Sequence, residues 1–121
     1  MARFSLRRWW RRRRPGPWRV KAIVPEADQI PDVLLPHEAA LVKSGDALKW
    51  LVFDCPCGHG HRIMLNLDSG RRPTWNVESQ SPLTVWPSVD VDLNMRRCHY
   101  VMFYGNVEWI AVAKRTRLRS H

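Results

Sequence analysis

The segment Asp54–His61, with the sequence DCPCGHGH, constrains the fold most, because it concentrates metal-binding side chains in a short turn. Its four potential ligands are Cys55, Cys57, His59 and His61. Pro56 stiffens the turn, and Gly58 and Gly60, on either side of His59, allow the backbone to wrap around a small ion. A second pair of ligands, Cys98 and His99, follows later in the chain. Zinc takes four nitrogen or sulfur ligands in a tetrahedron. The six candidates therefore predict a zinc site and leave open which four of them form it.

Cysteine usage indicates a reducing compartment. The chain has 3 cysteines, so they cannot all pair, and two of them are separated by a single residue, which is a poor geometry for a disulfide. No stretch approaches the length of apolar sequence that spans a membrane. No apolar segment follows the N-terminal arginines, as an export signal would require. We therefore expect a cytoplasmic protein.

Charge divides the chain into three parts. The net charge is +9, but the basic excess lies at the two ends, and the body between them is slightly acidic. We expect a basic arm at 1–17 that is disordered, one zinc-binding β domain at 18–113 and a basic tail at 114–121. Nucleic acid is a candidate partner through Arg7–Arg14 and Lys114–Arg119, since clustered basic side chains neutralise phosphates.

Short alternating segments predict a mainly β fold. Strands are expected at 18–24, 47–55, 61–67 and 83–91, and a hairpin at 99–114 turning at Gly105-Asn106. Residues 37–45 fit either a short helix or a strand, and residues 68–82 are interpreted as a polar connection. The architecture expected is a small antiparallel sheet or barrel with a zinc-ribbon-like Cys/His knuckle. Packing in the core is the expected role of six aromatic residues: Trp50, Phe53, Trp86, Tyr100, Phe103 and Trp109.

An ordered series of motifs extends over roughly residues 18–112. It consists of Phe53-x-Cys55-Pro56-Cys57-Gly58-x-Gly60-His61-x-Ile63-x-Leu65, then Trp75, Thr84-x-x-Pro87-Ser88, Cys98-His99-Tyr100 and Gly105-x-Val107-x-Trp109. This series resembles a family of small bacterial and phage proteins, domain-of-unknown-function family 6527. Some members of that family lie beside genes for bacterial ubiquitin-like conjugation and look like serine peptidases. Members carry a third cysteine where this chain has His59, which preserves a zinc ligand.

The resemblance implies a peptidase with Ser88 as nucleophile and His99 as general base. A serine hydroxyl needs a base to take its proton, and an imidazole titrating near neutrality suits that task. A third group should orient the imidazole. Asp90, Asp92 and His61 are all candidates, and His61 is placed with Ser88 and His99 in the predicted catalytic set.

In this peptidase hypothesis a structural zinc ion is held by Cys55, Cys57, His59 and Cys98. The expected partner is a ubiquitin-like protein or its conjugates. A metallopeptidase is less favoured, because thiolate-rich sites are more often structural and no Glu lies near the cluster in sequence.

A non-enzymatic function is the alternative hypothesis. The same zinc knuckle would then belong to a nucleic-acid-binding module that grips phosphates with its basic ends. Serine after proline is common in turns, where the hydroxyl bonds backbone groups, so Ser88 would then have no catalytic role.

Overall fold

Eight strands in two sheets account for most of the residues that the computed structural model describes. These residues are 16–93 and 96–111, without the side chain of Leu93. The first sheet contains β1 (Arg19–Val24), β2 (Glu38–Ser44), β3 (Ala47–Asp54) and β4 (Arg62–Asn66). The second contains β5 (Asn76–Gln80), β6 (Leu83–Leu93), β7 (Arg96–Phe103) and β8 (Asn106–Trp109). The only helical element within the described ranges is a 3₁₀ turn at Ala27–Gln29. The predicted mainly β class is confirmed.

Strand order in each sheet follows the sequence, and all neighbours but one are antiparallel. The exception is the pair β1 and β2, which run parallel with Arg19 opposite Glu38. Parallel neighbours cannot be joined by a tight hairpin, so the chain crosses over through residues 25–37. The prolines in that segment are accommodated there because the crossover contributes no strand.

A single apolar core lies between the two sheets. Alternate residues of β2, β3 and β4 point into it from the first sheet, with Leu41, Leu51 and Leu65 opposite one another. From the second sheet β7 contributes Cys98, Tyr100 and Met102. The other face of the first sheet is covered by a smaller cluster in which Leu34, from the crossover, packs on Ala40 and Val52.

Two local predictions were wrong in detail. The connection at 68–82 contains strand β5, which its polar composition concealed because β5 is an edge strand with alternate residues exposed. The hairpin turns at Tyr104–Gly105, one residue earlier than predicted, since Phe103 pairs with Asn106. The φ angles of Tyr104 and Gly105 are +50° and +80°, both in the left-handed region that a two-residue hairpin loop needs. The ambiguous segment at 37–45 forms strand β2.

Three aromatic residues expected in the core are exposed. Phe53 and Tyr100 are fully buried as predicted, but Trp86, Phe103 and Trp109 are 57%, 48% and 54% exposed. Successive side chains of a strand point to opposite faces. Phe103 therefore points outward because its neighbour Met102 points inward. Trp86 points outward for the same reason, because its neighbour Val85 points inward. Trp109 lies on the edge strand β8, and its ring meets that of Tyr100 in a T-shaped contact with 5.1 Å between centroids.

Residue Trp18 ties the two sheets together at one end. Its N–H donates to the Gly105 carbonyl at 2.9 Å, and its carbonyl accepts from the Leu83 N–H at 2.8 Å. The Gly105 N–H in turn donates to the Leu83 carbonyl at 2.8 Å. The start of β1 is thereby joined to the start of β6 and to the β7–β8 turn.

Both basic segments, Arg7–Arg14 and Lys114–Arg119, lie outside the described residues. The hypothesis of nucleic-acid binding depends on them, and nothing in the described part of the chain supports it. No helix in that same part of the chain has the length and apolar character needed to cross a membrane.

Replacement of Gly105 by alanine tests this junction. A Cβ there would lie 2.6 Å from Cβ of Pro17 and 3.1 Å from Cβ of Pro82. Gly45 is the matched control, because its φ is also positive, +61°, but a Cβ there meets nothing within 4 Å. Gly45→Ala should lower the free energy of unfolding by roughly 1–2 kcal/mol through backbone strain alone.

Gly105→Ala should lower that free energy by about 1–3 kcal/mol more than the control does, because of the added steric conflict. Urea denaturation of both variants measures the difference. Equal losses would show that the contact with the two prolines relaxes freely.

Candidate active site and metal centre

Ser88 and His99 meet on the outer face of the second sheet. The Oγ of Ser88 lies 3.0 Å from Nε2 of His99, and the pair is partly buried. When the imidazole carries its proton on Nδ1, the serine hydroxyl donates to Nε2. This is the contact through which a base removes a proton from a serine nucleophile.

A bulge in β6 presents Ser88. Val85 lies opposite Met102 and Val89 opposite Tyr100, so the three residues Trp86–Ser88 face a single residue of β7. Bulges re-aim side chains, and they are over-represented next to active sites. The Ser88 side chain consequently reaches His99, whose direct neighbour across the ladder is Asp90.

The backbone of His99 is fixed on its other side by β8. The N–H of Ile110 donates to the His99 carbonyl at 2.8 Å. The imidazole Nδ1, in contrast, is buried and has no hydrogen-bond partner among the residues that the structure describes. Leaving a buried donor unsatisfied costs about 1–3 kcal/mol, so this atom marks a place where a partner belongs.

Neither acidic candidate for the third catalytic group bonds Nδ1 of His99. The Asp90 carboxylate, although opposite His99, accepts two hydrogen bonds from Arg97, at 3.0 Å from Nε and 2.8 Å from an Nη. Asp92 lies opposite Arg97 and is exposed. The contact between Asp90 and Arg97 was not anticipated from the sequence, although a two-residue stagger across a ladder could have indicated it.

His61, the third residue of the predicted catalytic set, lies just before β4. Its carbonyl accepts from the Cys55 N–H at 2.8 Å, which closes the loop that carries the cysteines. Its Nε2 is buried and, like Nδ1 of His99, has no hydrogen-bond partner within the described part of the chain.

Three thiols converge inside the protein. The Sγ atoms of Cys55, Cys57 and Cys98 all lie within 4.8 Å of one another. None of them is in a disulfide. Cys55 and Cys57 come from the loop after β3, whereas Cys98 comes from the middle of the second sheet, so the cluster joins distant parts of the chain.

The surroundings of Cys98 oppose its ionisation. Burial, together with a hydrogen bond to Cys57 and proximity to Cys55, raises the pKa of the Cys98 thiol to about 12. The hydroxyl of Tyr100 lies 3.6 Å from Sγ of Cys55, and burial raises the pKa of that hydroxyl well above its usual range. Three thiols in a pocket with few charges match the soft donor set that zinc binds, since a bound cation stabilises their ionised forms.

His59 does not belong to the cluster of close ligand atoms. It is exposed, and its ring stacks near that of His61 with 6.3 Å between centroids. It lies between Gly58 and Gly60, whose φ angles are +77° and +83°. The loop backbone thus uses the freedom of both glycines, and the assignment of His59 as fourth ligand stays a prediction.

The polar contact of Tyr100 with the cluster was missed by the sequence analysis, which treated this residue as core alone. The Cys98-His99-Tyr100 spacing was the available signal, because residues two apart on a strand share a face. Tyr100 and Cys98 therefore both face the thiol cluster, while His99 between them faces outward.

A family model described as bacterial ubiquitination-like system serine protease (BubE) matches residues 26–110. Because this match covers more than half of the chain, the protein belongs to that family. Comparison with curated proteins and with solved structures gives no match. This confirms the predicted resemblance to peptidases of bacterial ubiquitin-like systems. The match does not bear on the predicted family number, 6527.

Loss of one thiol should abolish metal binding. Cys55→Ser and Cys57→Ser should each purify without zinc and with a lower melting temperature, because metal binding and folding of such sites are coupled. Elemental analysis gives the metal content, and circular dichroism gives the melting curve. His59→Ala is measured beside these two variants. It should lose the metal if His59 is the fourth ligand, and it should retain the metal if the thiols hold it alone.

If either cysteine variant retained its zinc and a wild-type melting curve, the thiol cluster would not be a structural metal site.

Proposed function

We propose that this protein is a serine peptidase that cleaves at a ubiquitin-like protein, with Ser88 as nucleophile and His99 as general base. The observation that carries the proposal is the 3.0 Å contact between Ser88 Oγ and His99 Nε2, which is partly buried on the outer face of the second sheet. Membership in the family of bacterial ubiquitination-like system serine proteases supports both the reaction type and the class of partner.

The reaction begins when His99 Nε2 takes the proton of Ser88 as Oγ attacks the carbonyl carbon of the scissile peptide bond. The tetrahedral intermediate collapses, the C–N bond breaks, and the imidazolium gives its proton to the departing amine. The acyl group is then esterified to Ser88. Water, deprotonated by the same imidazole, attacks this ester, and Oγ leaves with the proton that His99 returns.

The imidazole needs an orienting group at Nδ1, because that atom carries the proton when Nε2 is the base. We assign this task to His61. Its Nε2 and the Nδ1 of His99 are both buried and have no hydrogen-bond partner among the described residues, so they are not bonded to each other in this structure and the assignment requires the two rings to approach. A neutral imidazole has one acceptor nitrogen, so His61 can supply what His99 needs.

Zinc bound to Cys55, Cys57, Cys98 and His59 would have a structural role. Cys98 directly precedes the base His99, and the other two cysteines lie in the loop after β3. A metal cross-link between them fixes the start of β7 against the first sheet. The chemistry that zinc would supply is charge compensation for buried thiolates. The proton transfers of the peptidase steps use Ser88 on β6 and His99 on β7, with His61 orienting the imidazole.

Covalent labelling with a fluorophosphonate tests the nucleophile. The wild-type protein, zinc-loaded and folded, should gain the mass of a single adduct, because an activated serine hydroxyl attacks phosphorus as it attacks a carbonyl carbon. Ser88→Ala should gain none. Intact-mass spectrometry reads the result, and the melting curve of each protein is the control for folding.

Absence of an adduct on folded wild-type protein, together with no cleavage of a ubiquitin-like protein extended at its C-terminus, would contradict the proposed activity.

The role of His61 makes a separate prediction. His61→Ala should lower the labelling rate at Ser88 by about 10- to 100-fold, the factor expected when a reacting group is displaced from its productive position. The displaced group here is the His99 imidazole, which would lose its orientation towards Ser88. Asp92→Asn is the matched control, because Asp92 is exposed on the same sheet face, and it should label at the wild-type rate. A wild-type rate in His61→Ala together with a slower rate in Asp92→Asn would instead assign the orienting role to Asp92 on strand β6.

A further inference from the structure

The backbone carbonyl of Ser88 is held by a side chain from outside its own hairpin. Nε1 of Trp75 donates to this oxygen at 3.1 Å, and the contact is partly buried. Pairing between β5 and β6 ends at Asn76 and Trp86. Trp75 precedes β5, so its indole takes the position beside Ser88 where a strand neighbour would have supplied a backbone N–H.

Trp75 is itself fixed to the opposite sheet. Its backbone N–H donates to the Asn66 carbonyl at 2.9 Å, and Asn66 is the last residue of β4. The Thr74 hydroxyl donates to the same carbonyl at 3.3 Å. The ring of Trp75 packs against the central core. The indole therefore has little freedom to move away from Ser88.

The connection before Trp75 is organised by one amide. Nδ2 of Asn66 donates to the carbonyls of Asp68, Arg71 and Pro73 at 3.1, 3.1 and 3.0 Å. Its Oδ1 accepts from the Asp68 N–H at 3.0 Å. Six hydrogen bonds to Asn66 on β4, counting those of the Trp75 N–H and the Thr74 hydroxyl, thus hold the loop that presents the indole.

We propose that Trp75 is a positioning residue for the peptidase reaction and fixes the Ser88 peptide unit in the bulge, so that Oγ stays within reach of His99. The inference rests on the proposed function of Ser88. Residues 86–88 have no regular register with β7, so the ladder alone does not set the direction of this carbonyl. If the carbonyl were not held, changes in the backbone torsions of Ser88 would move its side chain relative to Nε2 of His99.

A role in packing alone would be carried by the ring and not by its N–H. The two roles are separated by variants that retain an aromatic ring but have no donor. Trp75→Phe removes the N–H and part of the ring. Replacement of Trp75 by 3-benzothienylalanine, in which sulfur stands in place of the N–H, removes the donor and keeps the two-ring shape.

The test measures fluorophosphonate labelling of Ser88 over a range of probe concentrations in the full-length protein. Both Trp75 variants should lower kinact by about 10- to 100-fold, as expected for a misplaced reacting group, and should leave KI unchanged. Trp50→Phe is the control, because Trp50 is a half-buried tryptophan on β3 with Arg71 above its ring at 5.8 Å. It should label at the wild-type rate.

The 3-benzothienylalanine variant should also keep the wild-type melting temperature, so its loss of rate cannot come from unfolding. A wild-type kinact in that variant would overturn the positioning role while Ser88 remained the nucleophile. A wild-type protein that gains no adduct at Ser88 would instead overturn the proposed function, and the role of Trp75 with it.

Discussion

The alternation of strand β7 is the constraint on which the site depends. Cys98, Tyr100 and Met102 are buried in the core between the sheets, and successive side chains of a strand point to opposite faces. His99 must therefore face outward. In the sequence it lies between Cys98, which belongs to the thiol cluster, and Tyr100, which contacts that cluster. A slip of one residue in the register of β7 would exchange the base and the thiol. The apolar core and the site are thus set by the same pairing.

On strand β6, in contrast to β7, the position of the site residue depends on a departure from regular strand pairing. Its bulge opposes three residues to one on β7 and brings Ser88 to His99. A bulge removes ladder hydrogen bonds and so weakens the backbone where a nucleophile must be held within a fraction of an ångström. The indole of Trp75 supplies a substitute bond, and the loop organised by Asn66 ties this support to the first sheet. The two sheets consequently both contribute to the proposed catalytic centre.

The thiol cluster brings a different kind of support. A domain of this length buries a modest core, and the cluster lies where the loop after β3 meets the second sheet. Burial raises the pKa of the Cys98 thiol, so without a cation this thiol stays protonated and makes weak contacts with the other two. A metal ion would convert them into a strong cross-link adjacent to the base. In this arrangement folding and placement of His99 depend on the same atoms, which connects the stability of the domain to its proposed chemistry.

Sequence alone determined the mainly β class, most of the strands and the convergence of Cys55 and Cys57 with Cys98, because alternation and ligand clustering are local or compositional signals. Only the tertiary structure decided which aromatic residues are buried. Alternation separates the faces of a strand without saying which face meets the core or which strand lies at an edge, as Trp86 and Trp109 show. Tertiary structure likewise decided the parallel pairing of β1 with β2, the β5 strand, the contact of Asp90 with Arg97 and the support of Ser88 by Trp75. Each of these depends on residues brought together across sheets or along ladders, where hydrogen-bond partners are chosen by the whole fold.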